Sequence, residues 1–332
     1  MTGRRQPPVR LLFLIGDTGG GHRSAATAVA QALDHAYPGR FAPVICDPLR
    51  GPDAPQWTRW LAGLYGPMAR QTPWLWGAIW HAASSPRVLG WVRRTLMPPV
   101  YDGVARAVAA GRPAVIVNFH PLTADPAVRA RDRGAAGLQV ITVVTDLVTA
   151  HPAWRDAPAD LVVVPSAAIA DRCARDGIPE GHYAQTGLPV AAGFCQPPAS
   201  APERHVLKRS LGLRGEFLVV VTGGGEGSGG LYRRAAAILE TVNDVDVAVI
   251  CGRNQRLRRR LTRLAERADS RLTVLGFVDN MADWLRCADI ADLLAKAAEG
   301  TEIAEIAIDW SEPAPADLTA PIEPDLVPAG ES

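Results

Sequence analysis

Two glycine clusters and a few histidines hold most of the chemistry available to this sequence. In "LLFLIGDTGGGHRSAATAVA" (11–30) an apolar run enters a glycine turn and leaves as a small-residue helix, and "TGGGEGSGG" (222–230) repeats the arrangement after "EFLVVV". Such turns expose bare backbone N–H groups and the positive end of a helix, which together favour phosphates. The first has the GxxxxG spacing of a P-loop, but His22 stands where that loop needs its lysine, followed by Arg23 and Ser24, so P-loop phosphoryl transfer is set aside. A dinucleotide dehydrogenase is set aside too: Asp47 is the nearest acid, and it accompanies no GxGxxG pattern. At a helix start the dipole disfavours the imidazolium, which keeps His22 a neutral imidazole able to accept a proton near neutral pH, or alternatively only a helix cap.

His120, Asp146, His151 and Trp154 fall at the ends of strand-like runs, the rim where an open α/β sheet places its site. A zinc site is disfavoured, because His120 and Asp146 are far apart in sequence and no helical histidine pair accompanies them. They read as walls of a substrate pocket, with a buried structural role for His120 or Asp146 as the alternative. Residues 54–101 carry Trp57, Trp60, Trp74, Trp76, Trp80 and Trp91 with Arg59, Arg70, Arg87, Arg93 and Arg94 and no acid. Indole rings settle at headgroup depth and arginines favour an anionic leaflet, so this stretch reads as a bilayer-interface surface, divided by prolines 67, 73 and 86 into short amphipathic pieces. The alternative is an aromatic helical insertion packed on the first domain. No nucleic-acid recognition motif accompanies the arginines.

The elements that must position these residues are short β-branched runs alternating with helix-length segments. "VRLLFLIG", "PAVIVNF", "QVITVVTD" and "LVVVPS" lack period-2 alternation and read as buried parallel strands. A second series, "EFLVVVTG", "VDVAVICG" and "RLTVLGFV", follows the proline-rich stretch "CQPPASAPERH". The fold class is therefore α/β, with two Rossmann-like doubly wound domains facing a cleft: 1–195, a linker at 196–205, and 206–296. A chain of 332 residues at 48% hydrophobic has enough material for two cores. The five cysteines are scattered and never spaced CxxC, which argues against a zinc knuckle, a redox motif or a disulfide framework and points to a reducing compartment. The net charge of +1 is divided: residues 297–332 hold nine acids and no Lys or Arg, so removing them leaves about +10 on residues 1–296. That acidic, proline-rich tail reads as disordered.

"DTGGGHRSAA", "NFHPLT", "VTDLVTAHPAW", "TGLPV", "TGGGEGSGG", "VICGRNQRLRRRL" and "GFVDNMADWL", in this order over roughly residues 9–290, resemble the motif series of the monogalactosyldiacylglycerol synthase and processive diacylglycerol glucosyltransferase family, relatives of the lipid-linked peptidoglycan N-acetylglucosaminyltransferase. The resemblance implies a GT-B fold, a UDP-sugar donor (UDP-glucose or UDP-galactose) held by the second domain, diacylglycerol or a similar lipid held by the first, and inversion with neither metal nor cofactor. It makes His22 the candidate general base, places Gly20, Gly21, His120, Asp146, His151 and Trp154 at the acceptor, and sets Trp154 against a lipid headgroup. Gly223, Gly224, Gly225, Gly227 and Ser228 would surround the donor diphosphate, with Gly252, Arg253 and Asn254 at the next strand end and Phe277, Val278, Asn280 and Met281 reading the uracil ring. The expected location is cytoplasmic, peripheral on the inner face of the plasma membrane. After Asp289 the sequence departs from the family: Ala298 and Glu299 stand where Gly-Pro is expected between echoes at Lys296, Gly300 and Thr301, and Glu302 interrupts the run. The second domain is therefore expected to be incomplete, and the alternative function is a truncated, inactive derivative that retains lipid binding. Sugar identity and oligomeric state are not legible.

Overall fold

A computed structural model describes residues 7–293 apart from 17–19, 52–53, 135–136, 149, 156–157, 198, 214, 216 and 269–270. The expectations at Lys296, Ala298, Glu299, Gly300, Thr301 and Glu302, and for the acidic tail, lie outside these described residues.

The chain opens with β1 (Val9–Leu14), α1 (Gly21–Ala36) and β2 (Phe41–Cys46). Four helices follow with no strand between them: α2 (Gln56–Gln71), α3 (Pro73–Ala83), α4 (Pro86–Thr95) and α5 (Pro98–Gly111). The first series then runs β3 (Val115–Asn118), α6 (Pro121–Asp132), β4 (Gln139–Val143), β5 (Leu161–Val164), α7 (Ala167–Arg175) and β6 (Tyr183–Gln185). The second comprises α8 (Ala201–Ser210), β7 (Phe217–Thr222), α9 (Leu231–Thr241), β8 (Val245–Ile250), α10 (Gln255–Ala265), β9 (Leu272–Leu275), α11 (Met281–Cys287) and β10 (Ile290–Leu293). Short 3-10 turns lie at Pro152–Trp154 and Ala192–Cys195.

Among the described residues these strands form two parallel sheets, ordered β2-β1-β3-β4-β5-β6 and β10-β7-β8-β9. The unbroken apolar strand sequences follow from burial on both faces. Leu12 and Leu14 pack with Val104, Ala127 and Val128 on one side of the first sheet, while Leu11, Phe13 and Ile15 pack with Ala25 and Ala26 on the other. In the second sheet Val219, Val221, Val247 and Val249 face Leu231, Ala235 and Leu261, and Leu218, Val220, Ala248 and Ile250 face Trp284. Each Val, Leu, Ile or Phe side chain so taken out of water contributes about 1.5–3 kcal/mol before the cost of ordering the chain.

The winding of each sheet reverses at one place, between β1 and β3 in the first and between β7 and β10 in the second. Open α/β sheets bind ligands beyond the carboxyl ends of the strands at such reversals. The glycine turns leave the ends of β1 and β7, so both are at those positions.

Three details differ from the sequence reading. Pro73 and Pro86 begin α3 and α4, where a missing N–H costs nothing, but Pro67 lies inside α2 and does not divide it. The stretch read as a linker, 196–205, already contains the first turn of α8: Ser200 donates from both its backbone N–H and its hydroxyl to Glu203 at 2.8 Å, which starts the helix within a proline-rich sequence. β2 and β6 were not legible as strands, the first because Pro43 sits in it at the sheet edge, the second because it is only three residues long.

Candidate functional site

The candidate site residues of the first lobe are brought together at the ends of β1, β3 and β4. Gly20 caps α1 in a left-handed conformation (φ 87°) that glycine adopts without strain, and this puts His22 in the first turn of the helix. His22 Nδ1 lies 3.0 Å from Thr145 Oγ1, just beyond β4. Its ring centroid is 4.6 Å from that of His120 in a T-shaped arrangement and 6.0 Å from that of Trp154. The same crowding sets a requirement at Gly16, where a Cβ would fall 2.6 Å from the His120 ring.

His120 and His151 are built alike. Each is followed by proline and caps a helical turn with its own ring: Leu122 N–H donates to His120 Nδ1 at 3.2 Å, and Ala153 N–H donates to His151 Nδ1 at 3.1 Å. An accepting Nδ1 places the proton of a neutral imidazole on Nε2. His120 is only 4% exposed, and burial, reinforced by repulsion from His22, holds its pKa well below the ordinary histidine value. Asn118 Oδ1 supports it by accepting from the His120 backbone N–H at 3.3 Å. The His151 ring faces Trp80 of α3, with centroids 5.3 Å apart, so α3 packs directly against this cluster.

Trp154 is fully buried among Val144, Val162, Val164, Ile169 and Cys173. Its indole N–H donates to Asp146 Oδ2 at 2.7 Å. In this structure it therefore backs His22 and fixes Asp146, and it does not present a face to a lipid headgroup. Burial raises the Asp146 pKa above the usual carboxylate value, opposed by the Trp154 and His151 hydrogen bonds.

On the other side, the turn after β7 folds against the turn after β8. Asn254 Nδ2 donates to Gly227 O at 3.0 Å, and the Arg253 backbone N–H donates to Gly225 O at 2.8 Å. There is no room for side chains: a Cβ on Gly223 would lie 2.0 Å from Ser228 O, and one on Gly227 (φ 58°) 2.0 Å from Cys251 O. Gly252 (φ 54°) is wedged in the same way against Gly225 O, while Gly224 is exposed at φ 66°. Arg253 lies over the Phe277 ring, 5.0 Å from its centroid, and pairs with Glu226 at 3.5 Å. Val278 and Met281 pack into the apolar cluster beneath the second sheet, and Asn280 precedes α11.

The two turns approach each other: a Cβ on Gly20 would come within 3.8 Å of Arg253 Nη1. Sequence reasoning missed Thr145 and Glu226. Thr145 is 123 residues from His22 and carries no spacing signal. Glu226 stands inside the quoted glycine motif, but its pairing with Arg253, 27 residues further on, carries no spacing signal. Among the described residues no group of three His, Cys, Asp or Glu could hold a metal ion, and no helix is long and apolar enough to cross a membrane.

Comparison with known proteins places this geometry. Residues 22–190 match the family described as monogalactosyldiacylglycerol (MGDG) synthase. A probable chloroplastic monogalactosyldiacylglycerol synthase of Nicotiana tabacum is 31% identical over 91% of this chain and 57% of its own length. Monogalactosyldiacylglycerol synthase 1 of Arabidopsis thaliana is 30% identical over 91% of this chain and 56% of its own. The chain thus spans a little over half the length of these relatives. The solved structure of Anabaena HepE in complex with UDP and glucose aligns with a TM-score of 0.51 at 13% identity, over 85% of this chain and 73% of that one, a likeness of fold. The expected compartment, cytoplasmic and on the inner face of the plasma membrane, is corrected by these relatives, which are chloroplastic. Scattered cysteines speak to redox state and an aromatic, arginine-rich stretch to a membrane surface, and neither says which compartment or membrane it is. Matched over half its length, with two parallel sheets meeting at paired glycine turns in the GT-B manner, the chain belongs to the monogalactosyldiacylglycerol synthase family.

Proposed function

We propose that this chain moves a hexose from UDP-glucose or UDP-galactose to diacylglycerol or a similar membrane lipid, with inversion at the sugar. The observation that carries the reading is the approach of Gly20, two residues before His22, to Arg253 of the second lobe. An inverting transfer is a single displacement. The acceptor hydroxyl oxygen bonds to the anomeric carbon as its proton passes to Nε2 of His22, while the bond from that carbon to the diphosphate oxygen breaks and its electron pair leaves with UDP. Thr145 Oγ1 engages the other ring nitrogen, Nδ1 of His22, at 3.0 Å. The negative charge developing on the diphosphate meets the backbone amides of the glycine turn after β7 and the Arg253 guanidinium beside it. No step calls for a covalent nucleophile, a cofactor or a metal.

The acceptor is a lipid, and α2 to α4 offer a way to reach it. Trp60, Trp74 and Trp91 are 65%, 73% and 53% exposed, an uncommon exposure for indole unless a bilayer interface covers it. Nearby arginines favour an anionic phospholipid surface, and the protein is expected to pellet with anionic vesicles at low salt.

The test is transfer of radiolabelled hexose from each UDP-sugar to diacylglycerol in vesicles. His22→Ala is expected to lower kcat at least 100-fold while UDP binding persists, the scale of a lost general base. Full transfer by His22→Ala would require another base. No transfer and no UDP binding by the unaltered protein would leave lipid docking without catalysis as the surviving reading.

A further inference from the structure

Glu226 lies in the middle of the glycine turn that, on the reading above, receives the donor diphosphate. A carboxylate at that point repels the ligand the turn is shaped for. The structure pairs it with Arg253, whose Nη1 is 3.5 Å from Glu226 Oε1. The two partners are unequally held. The Glu226 side chain is 13% exposed, while the Arg253 side chain is 51% exposed on a backbone anchored by its N–H to Gly225 O. The Phe277 face keeps the guanidinium close through its π electrons without fixing which anion it meets. The same Nη1 approaches the first lobe at Gly20. One cation on a flexible stem therefore lies between an internal carboxylate, the site of an incoming diphosphate and the opposite lobe.

We propose that Glu226 is an internal stand-in for the donor's diphosphate: it holds Arg253 in the empty site, and a nucleoside diphosphate displaces it from the guanidinium on binding. The exchange breaks one charge-assisted contact and forms another, without covalent change. Donor affinity is then set by competition, and the arginine nearest the acceptor lobe changes partner only when donor is present. This inference rests on the donor reading above.

Calorimetric titration of the full chain with UDP and with uridine separates the alternatives. Glu226→Gln keeps the shape and hydrogen-bonding capacity and removes the competing charge. It is expected to bind UDP about tenfold more tightly, equivalent to about 1.4 kcal/mol, with uridine affinity unchanged. Arg253→Ala is expected to weaken UDP and leave uridine unchanged. A purely structural Glu226 would move both ligands together, or weaken UDP, when replaced; either result overturns the stand-in while leaving the donor site in place. Circular dichroism of both variants confirms that the fold is kept. Failure of UDP to bind both the unaltered protein and Glu226→Gln overturns the donor reading and this inference together.

Discussion

Replacing Thr145 by valine tests whether His22 works through its tautomer. In the neutral ring only one nitrogen carries a proton. On the proposed mechanism Nδ1 carries that proton and donates it across the 3.0 Å contact to Thr145 Oγ1, which puts the lone pair on Nε2. Valine substitutes a methyl for the hydroxyl at nearly the same volume, so the ring loses its guide without losing its neighbour. A neutral hydrogen bond contributes about 1 kcal/mol net, which corresponds to about fivefold in rate when it acts only on the productive state. The expected result for Thr145→Val is a kcat about fivefold lower in hexose transfer, with KM for the UDP-sugar unchanged because Thr145 belongs to the other lobe. Thr145→Ser, which restores the hydroxyl, is expected to restore most of the rate. Valine at the unaltered rate, or serine as slow as valine, would refute this account of how the base is oriented.

Two further outcomes follow from the geometry. Gly227→Ala forces a left-handed residue, at about 1–2 kcal/mol, and drives a Cβ to 2.0 Å from the Cys251 carbonyl, so UDP binding by calorimetry is expected to be lost while far-ultraviolet dichroism persists; binding at the original affinity would show that the turn tolerates rearrangement. His120 is held neutral in the fold, so its contribution to stability is complete above the unfolded-state histidine value of about 6.5 and is lost as pH falls below it, with a slope of up to about 1.4 kcal/mol per pH unit. Urea unfolding of His120→Asn is expected to show a shallower loss between about pH 6.5 and 5 than the unaltered protein, and parallel curves would contradict the assignment.

The sheets were legible where physics leaves one option. β1, β3, β4, β5, β7, β8 and β9 are apolar on both faces, and glycine at the ends of β1 and β7 marks the reversal points. β10, which pairs with β7, follows Asp289, where the sequence departs from the family pattern. The strands that escaped notice, β2 and β6, lie at opposite edges of the first sheet, where one side is unpaired and the pattern is diluted. The site was legible in its histidines and glycines because few other residue types do what they do at a strand end. Its supporting contacts were not. The Thr145 hydroxyl and the pairing of Glu226 with Arg253 exist only after folding brings separated segments together. The orientation of Trp154 was hidden for a similar reason: tryptophan serves equally well at an interface and in a core, and here the Asp146 carboxylate decides for the core.

Gly16 shows how a position becomes intolerant of change by being empty. The histidine ring that occupies the space above it leaves no volume for even one methyl group. In a survey of all single substitutions this glycine would therefore rank beside His22 in sensitivity while touching neither substrate, and tolerance alone would mistake a vacancy for a participant.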